Sequence, residues 1–181
     1  RGLGERIVAA LEGLRDDDVD VVVDSLKTIA SVVEADCEKF TPYLPLVVSQ
    51  MCSAMDDINE NIAANAFWAL KVVFNNPSVA VSDAIASLAP MIHGHGNSVA
   101  PLFCASIALS RASKSDLEDV LPPVLTGLVE ACDNRAPAIR QSALNALGLS
   151  QRAMGPEWMR PHVQTLSLAH RQIMNRYADA F

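Results

Sequence analysis

The chain has 181 residues, of which 50% are hydrophobic, 5% aromatic and 19% charged, with a formal net charge of −7. That length buries one full core or forms part of a longer array, and dominance of Ala, Val, Leu and Ser suits helix-on-helix packing better than a β-sandwich rich in Tyr and Thr. The acidic balance makes the chain a poor match for nucleic acid, and Pro, Asn or His breaks every long uncharged stretch before it reaches membrane-spanning length, so neither a nucleic acid nor a membrane is expected as a partner.

Residues 1–60 hold 13 Asp or Glu against 5 Lys or Arg, whereas residues 134–181 hold six Arg against Glu157 and Asp179. Such an acidic surface either attracts basic peptides at long range or keeps an apolar array in solution. The opening Arg1-Gly2-Leu3-Gly4-Glu5-Arg6 has no apolar signal region and no initiating Met, which reads as a piece of a longer protein. Cys37, Cys52, Cys104 and Cys132 are widely spaced in apolar helical contexts, as buried free thiols of a reducing compartment would be. Cytoplasm and nucleus are the expected locations.

Apolar periodicity and turn residues predict helices over 4–14, 18–35, 41–55, 58–75, 79–93, 98–112, 116–132, 136–154 and 157–176, with no sheet. The second, fourth, sixth and eighth share a pattern. Each carries a small residue and an aliphatic anchor four places later: Ser25 with Ile29, Ala66 with Leu70, Ala105 with Leu109, Ala143 with Leu147. The anchors are 41, 39 and 38 residues apart, the period of HEAT and armadillo units. A spacing of four places both side chains on one helix face, so the small one admits a neighbouring helix and the large one fills the seam.

Turn chemistry falls at the matching offsets. Asp16-Asp17-Asp18-Val19, Asp56-Asp57-Ile58-Asn59 and Asp133-Asn134-Arg135-Ala136-Pro137 precede anchor helices, where Asp and Asn satisfy exposed N–H groups and complement the dipole. Gly94-His95-Gly96-Asn97 takes that place before the third. Proline marks the entries of the intervening helices, at Pro42 and Pro45, Pro122 and Pro123, and Pro161. The fold expected is therefore all-α, a solenoid of about four HEAT-type antiparallel helix pairs. It forms one array over 1–181, with repeats near 16–55, 56–95, 96–132 and 133–176 after the end of a preceding repeat at 1–15. Such a stack exposes a long curved surface suited to binding, with no enclosed pocket for chemistry.

The sequence contains no constellation for catalysis or cofactor binding. The pairs Gly2-Leu3-Gly4 and Gly94-His95-Gly96 lack the third glycine and the strand context of a phosphate loop. His93 and His95 have no Cys or carboxylate at ligand spacing, and His162 and His170 have no third ligand. The run Asp16–Asp18 with Asp20 and Asp24 lacks the Gly and terminal Glu of an EF-hand loop, and reads as caps and a solvated face. Two aromatics stand out. Phe67 shares the core face with Ala66 and Leu70, while Trp68 points roughly 100° away, toward either the surface or a helix seam; Trp158 follows Gly155-Pro156-Glu157 as a staple at a helix start.

The block Asn65-Ala66-Phe67-Trp68-Ala69-Leu70 resembles an Asn-Ala-Thr-Trp-Ala-Ile-type helix of the transportin branch of the β-karyopherins. Ala105-Ser106-Ile107-Ala108-Leu109-Ser110-Arg111 is similar to that family's next helix, Asp119-Val120-Leu121-Pro122-Pro123 follows at a matching distance, and Cys37 to Pro45 resembles the linker before it. The resemblance implies the C-terminal arch of a nuclear import receptor. It implies as partners protein cargo with basic or Pro-Tyr localisation signals, Phe-Gly nucleoporins and, through the whole receptor, the GTPase Ran. Its cargo-binding positions fall on Trp68 and Asn65, with Asp24 and Asp57 as acidic contacts. Lys71, where the family has a small residue, and the loss of acidity after residue 133 depart from the pattern. The alternative from the repeat alone is a HEAT scaffold of a multiprotein complex, of the phosphatase-regulatory or chromosome-associated type.

Overall fold

The computed structural model describes residues 2–93 and 98–180. The Gly94-His95-Gly96-Asn97 turn lies outside the described residues, and with it His95. Long helices α1 (Leu3–Gly13), α2 (Val19–Ala35), α4 (Leu44–Met55), α5 (Glu60–Asn75), α6 (Val81–His93), α7 (Ala100–Ser110), α9 (Leu121–Ala131), α10 (Pro137–Met154) and α12 (Leu168–Asp179) follow one another, with single turns α3 (Cys37–Phe40), α8 (Lys114–Leu117) and α11 (Pro156–Met159) between them. No strand occurs among the described residues.

The long helices form two rows. Anchor helices α2, α5, α7 and α10 stack each on the next, and α12 packs along α10 at the end of that row. Helices α4, α6 and α9 stack behind them, and α1, α4, α6 and α9 each pack against the anchor helix that follows. The seam between the rows is the core, and the pattern read from the sequence occupies it: Ser25, Ile29, Ala66, Leu70, Ala105, Leu109, Ala143 and Leu147 are all buried. This is a HEAT/armadillo-like helical solenoid.

The acidic turns start the anchor helices by two routes. Asp18 and Asn59 are true caps, accepting from the Asp20 N–H and from the Asn61 and Ile62 N–H groups. At α10 the cap position is Ala136, and Asn134 Oδ1 instead accepts the Ala136 N–H at 2.9 Å while Pro137 opens the helix. Asp16 Oδ1 takes the Asp18 N–H at 2.8 Å, so the acidic run does turn-building work, as expected of capping.

Proline splits three of the expected helices. The segment predicted at 41–55 begins with a turn of 3₁₀ helix, Thr41–Tyr43, and the one predicted at 157–176 passes from α11 into another, Arg160–His162, because Pro42 and Pro161 have no N–H to carry the α-helical ladder. The third, predicted at 116–132, divides at 118–120 into α8 and α9, with Leu121-Pro122-Pro123 opening the latter. The last is cut further, since Ser167 caps a fresh helix by accepting the His170 N–H. His162 and His170 therefore sit on different elements, correcting the single helix expected there.

Candidate interaction surface

Trp68 lies on the surface. It is 46% exposed on α5 while Ala66, Ala69, Leu70, Val73 and Phe74 fill the core. Phe67, expected on the core face, instead stands 38% exposed, and its ring stacks on Phe103 of α7 with centroids 4.7 Å apart and planes 22° from parallel. The reason is angular: Ala66 and Ala69, with Leu70, already fill the stripe facing α4 and α2, which leaves Phe67 to bridge sideways to the next anchor helix. Lys71 reaches back one turn, its ammonium 5.3 Å from the Phe67 ring centroid.

Beyond Phe103 an open groove of about 300 Å³ runs between α7 and α10, lined by Ile107 and Ser106 on one side and Leu149, Asn145 and Arg152 on the other. Asn145 Nδ2 donates to Ser106 Oγ at 3.2 Å across it. Phe103 and Ile107 belong to this surface and were not singled out from the sequence. The available signal was that α7 carries no charged residue at all, whereas a surface helix usually shows a polar face.

Of the other three residues expected in the site, Asn65 stands one turn before Trp68 on α5, whereas Asp57 and Asp24 lie on other elements. Asn65 spends its amide on its own helix, donating to the Asn61 carbonyl at 2.8 Å and to Asn61 Oδ1 at 3.0 Å. Asp57 is part of the α4–α5 turn, where Oδ1 accepts the Asn59 N–H at 2.8 Å. Asp24 lines a separate groove between α1 and α2 with Arg6, Ala9 and Thr28. Trp158, read as a turn staple, packs on His162 with ring centroids 4.7 Å apart.

Several polar features are structural. Arg111, at the end of α7, donates from Nε to the Phe74 carbonyl at 2.8 Å and from an Nη to the Val79 carbonyl at 2.7 Å, pinning the α5–α6 connection to the next repeat. Burial lowers its pKa, an effect opposed by Asp116 and Cys37. Asp116 is held below the usual carboxylate range by the Ser113 N–H and hydroxyl in a capping box at α8. All four cysteines are free thiols, three of them buried. A hydrogen bond with Cys52, aided by burial, raises the Cys104 thiol; burial followed by Asp133 pushes Cys132 up to about 12.

No family model matches the chain. CLIP-associating protein 1-B of Xenopus laevis is similar, 21% identical over 173 residues, and the match spans 94% of this chain and 12% of that protein. A chain solved for the structural basis of microtubule plus end tracking by XMAP215, CLIP-170 and EB1 superposes with a TM-score of 0.83 at 17% identity, covering 99% of this chain and 76% of its own. A second, from work showing that crescerin uses a TOG domain array to regulate microtubules in the primary cilium, gives 0.73 at 18% identity and covers 99% and 75%.

These likenesses overturn the partners expected from the transportin resemblance. In place of import cargo, Phe-Gly nucleoporins and Ran, the two structures that superpose at 0.83 and 0.73 come from work on microtubule plus end tracking and on a TOG domain array that regulates microtubules. The resemblance around Trp68 reflects what any HEAT anchor helix requires, a small residue and an aliphatic one a turn apart. The scaffold alternative is the better supported of the two readings.

Proposed function

We propose that this chain is a TOG-type helical scaffold that binds tubulin and so attaches a longer protein to microtubules. The observation that supports this best is the superposition: the plus end tracking structure matches 99% of the chain at a TM-score of 0.83, and similarity to a CLIP-associating protein extends over 94% of it. A designed armadillo repeat protein covers 97% of the chain yet reaches only 0.52, so agreement in how the helices stack, and not coverage alone, favours this reading. The surface is of the right kind, since a solenoid offers rows of helix faces and turns and works by contact. Its four free thiols accord with the reducing cytoplasm.

Size-exclusion chromatography with soluble tubulin tests the reading. The chain is expected to elute early, together with tubulin, and to separate as salt rises. A folded chain whose elution is unchanged by tubulin would count against it.

A further inference from the structure

We propose that the cleft between α12 and the corner joining α10 to α11 is an oxyanion site that takes a phosphate monoester, with Arg160 and Arg171 as its cationic walls. The cleft encloses about 170 Å³ and is lined by Gln151 on α10, Arg160 and Gln164 in the connection, and Arg171, Met174 and Asn175 on α12. Two guanidinium groups therefore face one small space, and no carboxylate lines it. Like charges so placed repel, and an anion between them turns that repulsion into two attractions.

The donors are arranged for such a ligand. One Nη of Arg171 donates to the Gln164 carbonyl at 2.6 Å. That bond fixes the guanidinium without neutralising its charge, and leaves its remaining N–H groups for a ligand. Arg160 is exposed and makes no hydrogen bond or ion pair among the described residues; Glu157, one turn before it on α11, is not paired with it. Across the cleft, Gln151 Nε2 donates to Asn175 Oδ1 at 2.7 Å, which leaves the Asn175 amide nitrogen as a neutral donor.

The donor set selects phosphate. A phosphate monoester brings about two negative charges and three acceptor oxygens, a match for two guanidinium groups and an amide. A lone carboxylate carries one charge, and would leave one arginine unmatched. The chain as a whole carries −7, so its overall field repels anions and any binding must come from local contacts. The proposal does not rest on tubulin binding.

Nuclear magnetic resonance titration of the isotope-labelled chain with inorganic phosphate and, separately, with a short phosphoserine peptide tests it. The expected result is saturable shifts of backbone amides over 160–164 and 171–175. Sodium chloride at equal ionic strength and the unphosphorylated peptide should not produce them. Affinity should fall about tenfold in Arg160→Gln and in Arg171→Gln, and hold in Arg176→Gln, an exposed arginine of α12 outside the cleft. Arg171→Gln also loses the bond to Gln164, so Arg160→Gln, with no protein partner to lose, keeps the test decisive if that variant unfolds. Tighter binding of the peptide would assign the ligand to a phosphorylated side chain of a partner; binding of phosphate at least as tight would assign it to the free ion. No saturable shift with either probe, shifts scattered over the surface, or an equal loss in Arg176→Gln would overturn the proposal.

Discussion

At the scale of single residues, the side chains that hold the array together differ from those that face outward. Arg111 is of the first kind: its guanidinium satisfies two backbone carbonyls that close helix packing keeps from water. Arg111→Ala is expected to destabilise the chain by about 2–3 kcal/mol, since both carbonyls lose a charge-assisted partner. Arg111→Lys should recover little, because an ammonium cannot reach both acceptors as a planar fork does. Denaturant melts of the three proteins check this. The buried thiols give a pH dependence. The folded pKa values of Cys104 and Cys132 lie above the unfolded value near 9, to about 12 for Cys132, so ionisation favours the unfolded chain. Stability is therefore present in full below about pH 9 and is lost progressively as pH rises toward the folded value. Cys132→Ser, with no group titrating in that window, should show a shallower alkaline loss in melts followed across it.

Among elements, the anchor helices were legible and their connections were not. A small residue followed by an aliphatic anchor is forced by the seam between rows, so Ile29, Leu70, Leu109 and Leu147 could be read straight from the chain and all are buried. Boundaries near proline were lost, because the apolar pattern runs on through Pro161 while its missing N–H interrupts the helical ladder. Gly155 at φ 92° ends α10 sharply enough to turn the chain toward α11. Phe67 was misplaced for a related reason. Helical periodicity locates a stripe, yet only the packed structure shows that alanines and Leu70 already fill it and push a neighbouring ring onto Phe103. The role of α12 is likewise tertiary. A Cβ at Gly148 of α10 would press against the Tyr177 Cβ and sit 2.9 Å from the Met174 carbonyl, so glycine is what lets α12 lie flat there. Gly148→Ala should cost about 1–3 kcal/mol of overpacking, despite alanine's better helix propensity. Faster hydrogen exchange in α12 than in α5 would locate the damage.

For the molecule as a whole, the repeat period revealed a solenoid, but HEAT units serve many partners and the period is blind to which. What separates them is the curvature summed over all repeats and the distribution of charge on the finished surface. Both emerge only when the helices are stacked. The transportin resemblance came from loose motifs taken in order between Cys37 and Pro123, and fails because each of them obeys packing rules common to every such array. The acidic first third and arginine-rich last third were visible in the sequence.

The central claim is that this scaffold engages microtubules, and co-pelleting of the folded chain with taxane-stabilised microtubules at low and moderate salt tests it most directly. The expected result is saturable pelleting that weakens with salt. A chain that keeps its helical circular dichroism yet stays in the supernatant at every microtubule concentration would contradict the claim, leaving a HEAT scaffold with other partners.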